Sequence, residues 1–223
     1  HHGYRLGAKS LQSGNQSMRT LGLFPTPVII AEIGNAPDLC PALKTAILAH
    51  EARTEGVTRS NLGGWQSRRD FFDWAGAPGA ALANAVREAA DHFSHTPSDG
   101  TAPAWRIEGW ANVNRGGQAN QLHYHPAAFW SAVFYVDDGG IDGGGELGGA
   151  LEFLDPRGPL PLMYAPDVRI AIEGCASAGL SEEYYPKTGA LAMFPAWLGH
   201  RVTPYRGERV RISVAMNFMV PGS

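Results

Sequence analysis

The chain has 223 residues, of which 44% are hydrophobic, and its 18 basic and 21 acidic side chains give a formal net charge of −3. Such a chain can bury a core as a single globular domain, and it has no surplus of Lys and Arg that would predict nucleic-acid binding. No apolar stretch reaches the roughly 18 residues that a membrane-spanning helix needs. Cys40 and Cys175 match no CxxC or disulfide framework, so we expect small buried thiols in a reducing cytoplasm.

The N-terminal segment is polar, begins with two histidines and precedes Met18. It contains no apolar run of the kind that a signal peptide needs. We therefore interpret residues 1–17 as the remnant of an expression tag and expect one domain over residues 18–223. Without the two terminal histidines, the candidate metal ligands are His50, His92, His95, His123, His125 and His200.

Two amphipathic helices are predicted in the first half of the chain. Apolar residues recur at helical spacing over residues 38–54, with Asp38 as the expected cap. A second helix is predicted over residues 80–95, and its buried face would consist of Leu82, Val86, Ala89 and Phe93. His50, His92 and His95 lie in these helices, and we interpret them as partly exposed polar residues and not as ligands.

From residue 105 the apolar residues alternate, which is typical of strands. In "WRIEGWANVN", Ala111 and Val113 would share one face, while Trp110 and Asn112 would look into a cavity from the other. Further strands are predicted at "WSAVFYV", "GALEFL", "VRIAIE", "GALAMF" and "RVRISVAMNF". This pattern predicts a mainly β fold, an antiparallel sandwich or barrel with helices on its outside. The acidic, Gly-rich residues 137–149 are interpreted as a solvated hairpin loop, because they lack the ligand spacing of an EF-hand.

The segment "NQLHYHPAAF" places His123 and His125 two residues apart at the start of an extended stretch. Side chains at positions i and i+2 of a strand point to the same side, so both imidazoles could reach one ion. By itself the pair is weak evidence for a metal site. The strand-rich half contains one other histidine, His200, as a candidate third ligand.

The last predicted strand has a polar face that carries Arg209, Arg211, Ser213 and Asn217. A guanidinium group suits bidentate binding of a carboxylate, and Ser213 could add a hydrogen bond to the same group. Alternatively, the two arginines form surface salt bridges with Glu208 or Asp155.

The order HxH, distal His and RxS resembles that of the Fe(II)- and 2-oxoglutarate-dependent oxygenases. "LFPTPV", "SNLGGWQS", "LEFLDPR", "MFPAWLGHRVTP" and "RISVAMNF" further resemble a bacterial and phage-associated group of that superfamily, over nearly the whole chain after residue 17. The resemblance implies a double-stranded β-helix, a jelly roll like that of the cupins. It also implies Fe(II) and 2-oxoglutarate as cofactors and hydroxylation by dioxygen with release of succinate and CO2. The substrate would be a small molecule or a protein side chain.

The resemblance also implies a role for individual residues. It makes His123, His125 and His200 the metal ligands. It makes Arg211, assisted by Ser213, the group that holds the distal carboxylate of 2-oxoglutarate, with Arg209 as the alternative arginine. Tyr135, in "FYV", would touch the same carboxylate, or else it is a core tyrosine with a hydrated hydroxyl. Alternation along their strand would place Asn112 and Trp110 in the pocket.

One position departs from the superfamily pattern. The residue two after the first histidine is usually Asp or Glu, and here it is His125. Three neutral imidazoles leave the 2+ charge of the metal uncompensated, so Zn(II) and Ni(II) compete with Fe(II). In a second registration His125 is the first ligand and Ala127 matches the HxA pattern of iron halogenases, in which chloride fills the vacant position. A third possibility is a cupin-like metal-binding protein without oxygenase activity.

Substrate specificity is expected in the loops, particularly residues 60–74 and 155–187. The first of these contains four aromatic residues that form either a wall for the substrate or a hydrophobic cluster that anchors the loop. These residues are Trp65, Phe71, Phe72 and Trp74.

Overall fold

The computed structural model describes residues 10–13, 16–19, 23–158, 163–168 and 180–222. Within these ranges the helices are α1 (Ala36–Glu51), α2 (Phe71–Trp74) and α3 (Gly76–His92). The strands are β1 (Ser10–Ser13), β2 (Gln16–Arg19), β3 (Ile29–Glu32), β4 (Asn61–Leu62), β5 (Trp65–Gln66), β6 (Arg106–Asn114), β7 (Ala119–His123), β8 (Trp130–Asp137), β9 (Leu151–Leu154), β10 (Ser181–Tyr184), β11 (Ala190–Pro195), β12 (His200–Val202) and β13 (Arg211–Met219). Among the described residues, no helix is long and apolar enough to cross a bilayer.

Two antiparallel sheets form the body of the protein. The larger sheet has the order β3-β11-β8-β13-β6-β5, and the smaller one has the order β10-β9-β12-β7-β4. The predicted mainly β jelly roll with flanking helices is therefore confirmed. A separate hairpin of β1 and β2 pairs residues 10–13 with 16–19 across the expected end of the tag. The strand predicted at residues 168–173 lies, from residue 169 onward, outside the described residues, and so does Cys175.

The larger sheet is buried on both faces. One face packs against α1 and α3, whose Leu43 and Leu82 are fully buried together with Val113 of β6. The other face meets the smaller sheet through a second apolar cluster that includes Tyr135 of β8 and Phe153 of β9. The alternation predicted for β6 is correct over residues 110–113, because Ala111 and Val113 enter the helix-side core while Trp110 and Asn112 line the cavity between the sheets. Cys40 is buried in the helix-side core, as expected.

The helix boundaries differ from those predicted. Helix α1 begins at Ala36, so Asp38 lies in its first turn and the prediction that it caps the helix was wrong. A carboxylate in the first turn is still favourable because it faces the positive end of the helix dipole. Helix α3 ends at His92, so Phe93 lies at its C-cap and is 49% exposed, whereas Ala90 is buried instead. The predicted apolar face was wrong at Phe93 because the helix ends before it.

The four aromatic residues of the 60–74 loop belong to the helix-side packing. Phe71 is fully buried, and its ring centroid lies 5.0 Å from that of Trp74. Trp74 also stacks on His50 at 3.8 Å, and Trp65 donates a hydrogen bond to the backbone oxygen of Thr54 at 3.0 Å. These contacts fit the interpretation as a cluster that anchors the loop. None of the four residues lines the cavity between the sheets.

The start of the acidic loop after β8 is buried, and there the prediction of a solvated loop was wrong. Asp137 and Asp138 are only 6% and 8% exposed. Asp137 accepts a hydrogen bond from the backbone N–H of Gly139 at 2.9 Å and one from Lys44 at 2.7 Å. Asp138 accepts one from the backbone N–H of Gly140 at 2.7 Å. The two carboxylates are buried because they satisfy backbone donors of the turn that ends β8.

We expect Leu43→Ala to lower the free energy of unfolding by about 2–5 kcal/mol, because it leaves a cavity between α1 and the larger sheet. Urea denaturation measures this change. Leu62→Ala is the matched control, since Leu62 is 48% exposed and its truncation should change stability by less than about 0.5 kcal/mol. Equal effects of the two substitutions would contradict the assignment of the helix-side core.

Candidate active site

Three histidines come together between the sheets. One ring nitrogen from each of His123, His125 and His200 lies within 4.8 Å of the others. His123 is the last residue of β7 and pairs directly with His200, the first residue of β12, so the sheet register places them side by side. His125 follows β7 and is held by a hydrogen bond from its backbone N–H to the oxygen of Ala196 at 3.0 Å. The sequence predicted that the two histidines lie at the start of an extended stretch. In the structure His123 ends β7 and His125 follows it.

Backbone carbonyl groups orient two of the imidazoles. Nδ1 of His123 lies 2.7 Å from the oxygen of Gln121, and Nδ1 of His200 lies 2.8 Å from the oxygen of Leu198. A ring nitrogen that faces a carbonyl oxygen carries the proton, so both rings donate through Nδ1 and keep the lone pair of Nε2 free. Nε2 of His200 lies 3.2 Å from Nε2 of His125. Two of the nitrogens thus converge as the ligands of one ion would.

The environment keeps these imidazoles neutral. Burial lowers the pKa of His123, and it lowers the pKa of His200 to about 4. Burial, followed by repulsion from His200 and His123, lowers the pKa of His125 to about 3. All three rings are therefore uncharged at pH 7, which is the form that binds a metal ion.

The polar face of the larger sheet forms the opposite wall of the same cavity. Ser213 of β13 pairs with Asn112 of β6 on one side and with Tyr135 of β8 on the other. Arg211 lies two residues before Ser213 on β13, and Trp110 lies two residues before Asn112 on β6. Because these strands are antiparallel, Arg211 and Trp110 line the cavity on opposite sides of the row formed by Asn112, Ser213 and Tyr135. The structure therefore brings together His123, His125, His200, Arg211, Ser213, Tyr135 and Asn112, all of which the sequence suggested as site residues.

Arg211 is a buried cation with unused hydrogen-bond donors. It is 1% exposed, and its Nε and Nη2 have no hydrogen-bond partner among the described residues. Its guanidinium carbon lies 5.3 Å from the ring centroid of Tyr135, whose hydroxyl likewise has no hydrogen-bond partner in the described part of the chain. Burial lowers the pKa of Arg211 and raises that of Tyr135. Since unsatisfied buried donors and unpaired charges are costly, this pair of residues fits an anionic ligand that accepts from both.

The structure separates the two candidate arginines. The side chain of Arg209 is 66% exposed and lies 3.4 Å from Asp137, and Arg209 does not line the cavity. The alternative of a surface salt bridge therefore describes Arg209, although its partner is Asp137 and not Glu208 or Asp155. The same alternative was wrong for Arg211, which is buried and forms no ion pair within the described part of the chain.

Tyr205 supports the site but was not identified from the sequence. Its ring is fully buried, and its hydroxyl lies 2.6 Å from the oxygen of Gly139 and 2.9 Å from that of Arg209. It therefore connects the turn after β8 with the residues that lead into β13. A side chain on Gly139 would collide with the Tyr205 hydroxyl. A lone tyrosine in a loop gives no periodic signal, so only the contacts show its role.

Comparison with known proteins supports a metal site that works together with 2-oxoglutarate. Residues 108–217, from β6 to β13, match the model of a family described as "Putative 2OG-Fe(II) oxygenase". This range contains the three clustered histidines and Arg211. No curated protein sequence matches the chain significantly.

Several solved structures share the fold. A Pseudomonas putida prolyl-4-hydroxylase is 15% identical, with 87% of this chain and 93% of that chain covered and a TM-score of 0.53. HygX from Streptomyces hygroscopicus, solved with nickel and 2-oxoglutarate, is 12% identical, with 88% and 84% covered and a TM-score of 0.58. The 2-oxoglutarate-dependent carbocyclase SnoK from nogalamycin biosynthesis is 10% identical, with 87% and 80% covered and a TM-score of 0.61. At these identities the likeness shows the fold.

We expect His200→Ala to weaken Ni(II) binding by at least roughly tenfold, because losing only a group that orients a ligand already costs about 10–100-fold. Calorimetric titration of the metal-free protein measures the affinity. His95→Ala is the matched control, since His95 is exposed and lies outside the cluster. Equal affinity of the two variants would show that the metal binds elsewhere.

Proposed function

We propose that this chain, whose residues 108–217 match the model of a family described as "Putative 2OG-Fe(II) oxygenase", is such an oxygenase and acts as a hydroxylase through the histidine cluster and the Arg211 pocket. Bound Fe(II) and 2-oxoglutarate supply the oxidising chemistry, in which one atom of dioxygen enters a substrate C–H bond and the other enters succinate as CO2 is released. The protein contributes geometry, charge and exclusion of water. The observation that carries the proposal is the buried Arg211 without a partner in the cavity that also holds the three histidines.

In this proposal His123, His125 and His200 hold the metal ion. The Nε2 atoms of His123 and His200 are available because the Nδ1–H groups of these rings donate to backbone carbonyl oxygens. His125 stands where a carboxylate would otherwise offset part of the metal charge. Without that carboxylate the protein discriminates less in favour of Fe(II), so Zn(II) and Ni(II) are expected to compete for the site.

Arg211 and Tyr135 hold the distal carboxylate of 2-oxoglutarate. The guanidinium offers Nε and Nη2, and the phenol offers its O–H, and none of these three donors has an acceptor among the described residues. Ser213 and Asn112 lie in the adjacent row of the cavity wall and are placed to hydrogen-bond the rest of the molecule. A 2-oxoglutarate dianion would compensate the buried charge of Arg211.

The cavity favours this assignment over the two alternatives. In the halogenase-like alternative His125 is the first ligand and His123 has no role. The ring centroid of His123 nevertheless lies 4.3 Å from that of His200. Ala127 lies in a left-handed turn with φ of 69° and does not line the cavity. A metal-binding protein without oxygenase activity would account for the histidines but would leave the donors of Arg211 and Tyr135 unexplained.

The fold relatives show that both small and large substrates are compatible with this architecture. HygX has been solved with hygromycin B bound, and a related prolyl hydroxylase from Trichoplax adhaerens has been solved with a peptide fragment. SnoK is described as a carbocyclase, so hydroxylation is one outcome of several on this fold. We propose hydroxylation because two of the structures that share the fold are described as prolyl hydroxylases.

The decisive experiment is an anaerobic titration of the Fe(II)-loaded protein with 2-oxoglutarate, followed by the visible charge-transfer band of the chelated complex. We expect the band in the wild-type protein, its loss in His200→Ala and a weaker affinity in Arg211→Ala. Absence of the band in iron-loaded wild-type protein would favour the metal-binding protein without this cosubstrate.

Replacing the buried arginine tests the anion pocket by stability alone. Arg211→Met removes an unpaired buried charge, so without ligand its melting temperature should equal or exceed that of the wild-type protein. Metal and 2-oxoglutarate should stabilise the wild-type protein, because they bind only the folded state, and should stabilise the variant much less. Arg209→Met is the matched control and should keep the full response. A lost response in Arg209→Met, or a retained one in Arg211→Met, would reverse the assignment of the two arginines.

A further inference from the structure

The cavity has two ends, and strand register defines them. Along β13, Arg211 pairs with Asn114 of β6, and Ala215 pairs with Trp110. Four residues of an antiparallel strand span roughly 13 Å, so Trp110 lies about that far along the sheet from the Arg211 end. The proposed cosubstrate occupies the Arg211 end. A substrate therefore has to bind towards Trp110.

Arg69 lies at the Trp110 end. Its guanidinium carbon is 5.4 Å from the ring centroid of Trp110, and the Trp110 ring is 5.7 Å from that of His125. The Arg69 side chain is 59% exposed, so it reaches from solvent to a ring that borders the histidine cluster. Arg69 is therefore an exposed cation close to the proposed reaction centre.

Hydrogen bonds with β6 fix the backbone around Arg69. Ser67 donates its backbone N–H to the oxygen of Ala111 at 2.9 Å, and its hydroxyl accepts from the N–H of Ala111 at 3.0 Å. Asp70 forms a bridge with Gly109 on the other side of Arg69. The segment is thus anchored to β6 on both sides of Arg69, which favours binding because little order has to be created.

The positive charge of Arg69 is only weakly balanced by nearby carboxylates. Among the described residues, Arg69 has one ion pair, with Glu108 at 3.6 Å, which is too long for a close hydrogen-bonded pair. Glu108 is shared with Arg106, also at 3.6 Å. The neighbouring Arg68 is exposed and has no ion pair in the described part of the chain. The charge of Arg69 is therefore offset only in part, in a chain whose net charge is −3.

We propose that the substrate carries an acidic group, a carboxylate or a phosphate, that binds Arg69 above Trp110 and directs the reacting C–H bond towards the histidine cluster. The inference rests on the proposed function, because it takes the Arg211 end to be filled by 2-oxoglutarate. The guanidinium of Arg69 provides bidentate donors for the acidic group, and the indole of Trp110 provides an apolar surface for the carbon skeleton beside it.

Matched ligand pairs test the proposal. One series consists of N-acetyl amino acids and their amides, and a second consists of sugar phosphates and the parent sugars. Binding to the protein loaded with Fe(II) and 2-oxoglutarate is measured by calorimetry without oxygen. We expect at least one acid to bind roughly tenfold or more tightly than its neutral counterpart, a difference of about 1.4 kcal/mol. The series that contains it identifies the acidic group.

Two variants assign the effect to Arg69. Arg69→Gln should abolish the difference between acid and neutral ligand. Arg106→Gln is the matched control and should preserve it, because Arg106 contacts the same Glu108 without lying over Trp110. Melting temperatures confirm that both variants are folded. No preference for any acid, or a preference that survives Arg69→Gln, would overturn the proposal. The 2-oxoglutarate titration of the wild-type protein decides the proposed function separately, since it needs no substrate.

Discussion

The buried, unpartnered guanidinium of Arg211 is the constraint on which the account of this protein depends. A charge that is 1% exposed and has two donor groups without an acceptor among the described residues lowers the stability of the fold unless an anion binds to it. The hydroxyl of Tyr135 adds a third unused donor at the same place. Tyr205 holds the residues that precede β13 by hydrogen-bonding the backbone oxygen of Arg209 at 2.9 Å. In the proposed function these donors bind an anion in the cavity that the three neutral imidazoles also line.

Side chains alternate between the two faces of the larger sheet, so one face can form the core while the other lines the cavity. One face of β6, β8, β11 and β13 packs against α1 and α3 and supplies much of the apolar burial. The other face of β6, β8 and β13 carries Asn112, Tyr135, Arg211 and Ser213 into the cavity. Because the helices cover the outer face, the inner face can be polar without loss of the core. The smaller sheet then contributes the histidines through the pairing of β7 with β12.

Sequence reasoning identified the features that depend on local pattern and missed those that depend on tertiary contacts. The alternation of β6 could be predicted because strand period is a local property. The local pattern offered only His123 and His125 as a pair, and the family resemblance added His200 as the third ligand. The sequence left the choice between Arg209 and Arg211 open, because both lie on one predicted face and only the start of β13 at Arg211 separates them. The burial of Asp137 depends on Lys44 and on backbone groups of the turn, and the end of α3 before Phe93 had no strong local signal.

The most direct measurement is a crystal structure of the protein with Mn(II) and 2-oxoglutarate bound under anaerobic conditions. We predict one anomalous peak, from Mn(II), within bonding distance of a ring nitrogen from each of His123, His125 and His200. It also predicts the distal carboxylate of 2-oxoglutarate against Arg211 and the Tyr135 hydroxyl. A metal ion bound without His123, or a carboxylate bound to Arg209 at the surface, would contradict the account.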